Sequence, residues 1–330
     1  MGQYWMVVNI DKWQQTGDQA KLFEIWLWER SSPTSDSLLN RLLPPMLDPA
    51  AENLTKELVK HVKSPIEAGL GRLSLPMELL HMIFANIEDI RDVACLCICN
   101  KTLWAIGYKY VLKKMEEDPT RWDGDRLIFV GDCSEGLPEG VLSAEELAKL
   151  REELPTLYDS DSEDAVGSES NHPSLYTIAC ELCHNRQGHR DGSPYDRREW
   201  KMPSPEGECY RKLTTPYYVQ YDDYALCNLS KLQYVRADIV TEIVGEALHL
   251  GDVLLCQIGW STTSLLHESG LQEGPWAGDR FRVTTMNEVN GPLTKKGVWK
   301  DVSSDVMKRV VEIWREVHGP KWPALEQKDE

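Results

Sequence analysis

The pentapeptide Trp-x-Gly-Asp-Arg occurs twice in this chain, in RWDGDRLIFV (121–130) and in PWAGDRFRVT (275–284). The copies stand 154 residues apart (276 − 122). A five-residue signature that returns at this distance implies either a repeated structural unit or two copies of one site. Gly-Asp is turn chemistry, because glycine reaches positive φ and aspartate bonds nearby backbone amides. The apolar run after each arginine reads as a strand. Arginine follows tryptophan by four residues, a spacing at which a turn can stack guanidinium on indole. One reading is structural: the tryptophan anchors the strand entry, the aspartate caps the turn and the arginine pairs with a carboxylate. The other takes Trp122, Gly124, Asp125 and Arg126 with Trp276, Gly278, Asp279 and Arg280 as a paired ligand-binding or catalytic site. No His, Cys or Ser nucleophile accompanies Asp and Arg at matched positions in both copies, which points away from catalysis.

A second correspondence extends the repeat. Asn9-Ile10-Asp11-Lys12 aligns with Asn228-Leu229-Ser230-Lys231, each after an apolar strand-like run containing tyrosine. The distance from Asn to Trp is 113 residues in the first copy (122 − 9) and 48 in the second (276 − 228). The excess matches a helical block between positions 52 and 117. The expected fold class is therefore α+β: a duplicated α+β unit with a three-helix module inserted in its first copy. The expected boundaries are 1–64 and 118–154 for the N-terminal unit, 65–117 for the helical module, 155–215 for a poorly ordered acidic linker, 216–320 for the second unit and 321–330 for a flexible tail. Within the first unit, QYWMVVNIDK reads as a strand ending at a turn, KLFEIWLWER as a short helix or strand, SSPTSDS as a loop, and SLLNRLL as a helical turn halted by Pro44-Pro45.

The block GRLSLPMELLHMIFANIEDIRDVACLCICNKTLWAIGYKYVLKKMEE (71–117) is the most informative region. Ser74 is placed to cap a helix whose first turn holds Pro76. Leu79, Leu80, Ile83, Phe84 and Ile87 form a wide apolar stripe. Asp89 starts a second helix with Val93, Leu96 and Cys97, and a third opens after Asn100 at Leu103-Trp104-Ile106. Three short helices cannot bury this much apolar surface against one another, so some of it needs a further partner. The pattern Leu75-Pro76-x-Glu78-Leu79-Leu80-x-x-Ile83-Phe84, followed by Ile87, Val93, Leu96, Cys97 and Leu103-Trp104, resembles an F-box over about 40 residues. The usual cysteine-arginine-tryptophan ending is spread out here as Cys99-Asn100-Lys101-Thr102-Leu103-Trp104. The opening MGQYW, VNIDK, the two WxGDR motifs, LGDVLL (250–255) and WKDVS (299–303) resemble the largely uncharacterised fungal F-box proteins. That resemblance implies a three-helix element docking on a Skp-type adaptor and, through it, on a cullin-RING ubiquitin ligase. Leu75, Pro76, Glu78, Leu79, Ile83 and Leu96 would face the adaptor. It supplies no catalytic residue and no substrate.

Charge narrows the partners. With 36 basic and 53 acidic side chains the formal charge is −17, a field that repels phosphate backbones and anionic membranes. The expectation is neither a nucleic-acid nor a membrane partner. The longest apolar run, VACLCIC (93–99), is far too short for a bilayer, and the opening residues lack a basic n-region. Nine cysteines cannot all pair internally, which suits a reducing compartment, cytoplasmic or nuclear.

Lesser features fill the remainder. DSDSEDAVGSES is acidic and serine-rich; Ser160 and Ser162 suit acid-directed phosphorylation or simply lie in a solvated linker. Cys180 and Cys183 have zinc spacing, with His184, His189 or Cys209 as further ligands, but no second spaced pair follows, and no cofactor is expected. KDVSSDVMKRVVEIWREVHG is an amphipathic helix stopped by Gly319-Pro320, expected to cover the second sheet. Three functions stay open: a non-catalytic F-box substrate receptor, a small-ligand binder or enzyme built on the WxGDR units, and an adaptor-binding protein that recruits no target.

Overall fold

The computed structural model describes residues 3–21, 25, 33–60, 69–158, 173–185, 205–262 and 271–323. The fold is α+β. Along the chain run β1 (Tyr4–Asn9), β2 (Gln14–Lys21), α1 (Pro33–Leu42), α2 (Pro49–Lys60), α3 (Met77–Asn86), α4 (Ile90–Ile98), α5 (Lys101–Glu116) and β3 (Leu127–Gly131). Then come α6 (Ala144–Glu153), α7 (Pro155–Tyr158), α8 (Leu175–Asn185), α9 (Pro205–Thr214), β4 (Tyr224–Asn228), β5 (Gln233–Arg236), α10 (Ala237–Val244) and α11 (Leu250–Gln257). The last are β6 (Gly259–Trp260), β7 (Phe281–Thr285), α12 (Met286–Asn290), β8 (Lys300–Asp301) and α13 (Ser303–His318). They form two compact units: residues 1–43, 122–191 and 220–330, and residues 44–121 and 192–219. This grouping differs from the expected one, because the two α+β segments share a single unit.

The first unit holds two four-stranded sheets, ordered β2-β1-β3-β6 and β7-β4-β5-β8. In each, a hairpin (β1/β2 or β4/β5) is joined on its first strand by a third strand running antiparallel. Asn9 pairs with Leu127 in one and Asn228 with Phe281 in the other. The outer strands differ: β6 runs parallel to β3, whereas β8 runs parallel to β5. β3 and β4 are buried at every residue, as expected of strands covered on both faces. Over the first sheet, Met6, Val8, Ile128 and Val130 pack under Leu150 of α6 and Leu175, Ile178 and Leu182 of α8. The amphipathic helix α13 buries Val306, Met307, Val310, Ile313 and Trp314 and packs on β5, α10 and α11.

The second unit is helical. Leu80 and Phe84 of α3, Val93, Ala94 and Cys97 of α4, and Leu103, Trp104 and Ile106 of α5 share one core with Ala51 of α2 and with Tyr210 and Leu213 of α9. The apolar excess of the three central helices is thus covered in part by two helices of the same chain. Asp89 caps α4 by accepting from Arg91 N, and Asn100 caps α5 by accepting from Thr102 N, both at 2.8 Å. The Trp104 indole donates to Thr55 Oγ1 at 2.8 Å, fastening α5 to α2.

Several expectations need correction. Of the segment 155–215, read as poorly ordered, residues 159–172 and 186–204 lie outside the described residues, while α8 and α9 join the two cores through short apolar stripes set between polar flanks. Pro33 opens α1 inside the stretch read as a loop, since proline suits a first helical turn. Pro76, not Ser74, is the N-cap residue of α3, without a side-chain cap bond. The polar run QQTGDQAK (14–21), to which the sequence pattern assigns no element, is a strand, paired by the hairpin rather than by its own propensity. Most of KLFEIWLWER, Ser160, Ser162, His189 and the last seven residues lie outside the described residues.

Gly107 sits where α5 meets α3 and α4. A Cβ there would stand 2.3 Å from Cys97 Sγ and 2.6 Å from Phe84 Cε1, too close without repacking. Gly107→Ala is expected to destabilise the protein by about 1–3 kcal/mol through overpacking, despite alanine's better helix propensity. Equilibrium urea unfolding checks this: a midpoint equal to or above that of wild type contradicts the packing described.

Candidate interaction surface

The two Trp-x-Gly-Asp-Arg turns are built by matched interactions. Asn9 Nδ2 donates to Asp125 Oδ2 at 2.7 Å, and Asn228 Nδ2 to Asp279 Oδ2 at 2.8 Å. Lys12 and Lys231 pair with the same aspartates at 2.8 and 3.0 Å. Both tryptophans are buried, and their indoles donate to Gln14 and Gln233 at 2.8 and 3.0 Å. Gly124 and Gly278 take φ of 82° and 79°, the left-handed region that glycine enters without steric cost. The main chains then exchange. Gly124 N donates to Phe281 O and Gly278 N to Leu127 O, while Leu127 N reaches Asp279 O and Phe281 N reaches Asp125 O, at 2.7 to 3.2 Å. Arg126 and Arg280 face each other across an antiparallel bridge at the centre.

The arginines do not stack on their own tryptophans. Arg126 donates through Nε to Asp11 Oδ1 at 2.8 Å and through Nη2 to Glu146 Oε1 at 2.5 Å. Its guanidinium, with help from the backbone amide of Ser143, holds the Glu146 carboxyl down at about 2. The Trp122 ring instead lies under Arg41, 4.7 Å away. Arg280 crosses to Asp11 Oδ2 at 2.7 Å and to Gly124 O at 3.0 Å. The crossing follows from one difference between the two turns. Asp11 Oδ2 accepts from Arg126 N at 2.9 Å, whereas the matched Ser230 offers only a hydroxyl, which accepts from Arg280 N at 3.0 Å. The acids and arginines proposed for a paired site are therefore bonded to one another, to Asn and to Lys. They serve the turns.

A carboxylate–imidazole group is present that the sequence reading did not flag, because its members are distant in the chain. His249 Nε2 meets Asp36 Oδ1 at 2.6 Å, Nδ1 accepts from Gly251 N at 3.0 Å, and Asp252 Oδ2 accepts from His249 N at 3.0 Å. This is a reciprocal cap on α11 that also ties α11 to the first turn of α1. Both ring nitrogens are engaged, so neither is free to act as a general base. Thiol chemistry is disfavoured at two buried cysteines, since burial pushes Cys97 and Cys227 up to about 12. Cys183 is buried with its Sγ against Trp13 O at 3.3 Å, Cys180 is half-buried on the same helix, and Cys209 belongs to the other unit. The His184 side chain is outside the described residues, and among those residues no group of three or more His, Cys, Asp and Glu is arranged to hold a metal ion.

Exposed apolar side chains remain in the helical unit, among them Leu54 and Val59 on α2 and two on the face of α3. Leu80 and Phe84 are sealed at 1% and 0% exposure, while Leu79 and Met82, one turn apart, stand 43% and 59% exposed. Pro76 and Glu78 are exposed beside them at the start of the helix. Leu75, Ile83 and Leu96 are half-buried, packed against the core. His81 Nδ1 and the Tyr110 hydroxyl, 3.1 Å apart, join this helix to α5. Met82 was not among the residues expected to face a partner; its place at i+3 from Leu79 is the signal that could have found it.

Two substitutions test the turn geometry. Both Gly124→Ala and Gly278→Ala pay for positive φ, about 1–2 kcal/mol. A Cβ at Gly124 meets nothing within 4 Å, but at Gly278 it would lie 2.6 Å from Val141 Cγ2. Gly278→Ala is expected to be the more destabilising by about 1 kcal/mol or more; equal unfolding midpoints contradict the asymmetry. For His249, burial opposes charging, yet the bond to Asp36 and the charges of Asp252 and Asp36 outweigh it, so its pKa lies above the usual 6.5. Stability from a raised histidine is complete below its unfolded pKa and lost as pH rises through the folded one. The Tm advantage of wild type over His249→Asn should shrink as pH rises above the ordinary histidine value of 6.5; an advantage that grows with pH contradicts this assignment.

No described helix is long and apolar enough to cross a membrane. Comparison with family models, with curated proteins and with solved structures finds no match to this chain.

Proposed function

We propose that this protein is a non-catalytic substrate receptor whose helical unit docks on a Skp-type adaptor and so links a protein target to a cullin-RING ubiquitin ligase. The observation that supports it most is the outward pair Leu79 and Met82 on a helix whose other side is closed by Leu80 and Phe84. Folding has already used the inner stripe of α3, so the outer stripe does not stabilise the chain by itself. Covering the exposed half of each of these two side chains contributes about 1 kcal/mol each. Pro76 and Glu78 lie beside this pair, and Leu75, Ile83 and Leu96 brace it from the core side. In the same reading the two sheets are one repeated unit with the helical unit inserted in the first copy, supported by the matched Asn, Lys, Trp and Gly interactions of the turns. The site of action is cytoplasmic or nuclear, where such ligases work.

The test is co-purification of the full chain with a Skp-type adaptor, comparing wild type with Leu79→Asp and Met82→Asp. Each replaced side chain is substantially exposed, so folding, followed by circular dichroism and Tm, should be preserved. The expected result is association of wild type and at least a tenfold loss in each variant, equivalent to about 1.4 kcal/mol. No association of wild type, or equal association of all three proteins, overturns the proposal.

A further inference from the structure

The most exposed large hydrophobic side chain described in the protein is not on α3. Val298 is 93% exposed, in the loop that leads into β8. Its neighbour Trp299 is half-buried, donates from Nε1 to Leu293 O at 2.9 Å, and packs on a small core with Ala225, Cys227 and Val289. The loop is fastened from the other side as well: Lys300 N donates to Leu232 O at 2.9 Å, and Gly297 lies against the Leu232 side chain. Val298 is therefore held outward by a fixed scaffold. An apolar side chain so displayed gains nothing from its own fold, and a valine kept in water costs what its burial would return.

The charges within the run are of one sign. The run Leu293–Lys300 carries three lysines and no acid, in a chain with 53 acids against 36 bases. Lys295 and Lys300 are exposed on either side of Val298 in sequence. Lys231, in the adjoining β4–β5 turn, is already paired with Asp279 at 3.0 Å, and Asp301 accepts from Ser303 Oγ at 2.6 Å. Lys295 and Lys300 face outward, and the exposed Asp301 stands next to Lys300 at the edge of the tip. A cationic, apolar tip on a body of charge −17 selects its partner by sign, because the remainder of the surface repels acidic ligands.

We infer that the Leu293–Lys300 tip is a docking surface for acidic peptide segments that carry an apolar side chain, with Val298 as the apolar contact and Lys295 and Lys300 as its charged flanks. The inference rests on this tip alone and stands whether or not α3 binds an adaptor. If the receptor reading holds, the tip is where the target is held, and targets are acidic at the bound segment.

The experiment uses the full chain and three fluorescently labelled peptides of equal length: one alternating Glu and Leu, one all Glu with Gly, and one alternating Lys and Leu. Fluorescence anisotropy, followed up to about 1 mM protein, is expected to show binding of the Glu/Leu peptide. Its affinity should fall at least tenfold in Val298→Asp and in Lys295→Glu/Lys300→Glu, and on raising salt from about 50 to about 500 mM. The Glu/Gly and Lys/Leu peptides should bind at least tenfold more weakly, and Leu79→Asp should bind the Glu/Leu peptide as wild type does. No binding, equal binding of the three peptides, unchanged binding in the tip variants, or preference for a single-stranded oligonucleotide over the Glu/Leu peptide overturns the inference. Loss in Leu79→Asp but not in the tip variants assigns the peptide to α3 and overturns it too.

Discussion

The reciprocal main-chain exchange between the two Trp-x-Gly-Asp-Arg turns is the constraint on which the first unit depends. Four backbone bonds cross between Gly124, Asp125 and Leu127 on one side and Gly278, Asp279 and Phe281 on the other. Such bonds form only if both turns present amide and carbonyl at the same height, which both glycines allow by their positive φ. Each aspartate is then held by an asparagine from the end of the preceding hairpin strand, and each tryptophan by a glutamine from the other strand of that hairpin. The exchange therefore fixes where β3 and β7 begin, and with them the register of both sheets. It also explains how a helical unit can be inserted in the first half. Arg41 O accepts from Trp122 N at 2.9 Å, so the residues flanking positions 44–121 are bonded to each other and the framework closes across the insertion.

The same bonds decide what the repeated polar residues can do. A buried or half-buried charge must be paired, and a guanidinium whose donors are met by Asp11, Glu146 and carbonyls has none left for a substrate. Asp11 serves two arginines because its counterpart is Ser230. Asp11 is thus shared by both arginines, and Glu146 adds a second acid on the Arg126 side only. By contrast, α3 turns two unpaired apolar side chains outward, and the tip at Val298 turns out a third. Polar residues repeat where the turns are made, and these apolar side chains lie outside that framework.

Much of this was legible in the sequence, for a physical reason in each case. The repeat of Asn-x-x-Lys and Trp-x-Gly-Asp-Arg marks the turns because a turn's geometry restricts its residues. The stripe from Leu79 to Ile87 and the caps Asp89 and Asn100 mark the helices because capping and periodicity are local. What the sequence hid depends on distance. β2 is polar and exists because β1 pairs with it; α8 and α9 are short stripes whose value lies in the cores that they close; His249, Asp36 and Asp252 meet across 213 residues of chain. Arg126 was expected on Trp122, but a charge–charge contact with Asp11 and Glu146 is the stronger claim on a guanidinium than an aromatic face. Of the outward residues, Leu79 was readable from the F-box resemblance, whereas Met82 and Val298 needed the burial of their neighbours to be known.

The central claim is that the polar turns are internal framework while the outer stripe of α3 is a surface kept for another protein. Hydrogen exchange of the full chain, alone and with a purified Skp-type adaptor, addresses both halves together. The account predicts slow exchange at the Gly124, Leu127, Gly278 and Phe281 amides in either state, with new protection over Leu75–Phe84 only when the adaptor is present. Fast exchange at those four amides, or an adaptor that leaves Leu75–Phe84 unchanged, contradicts it.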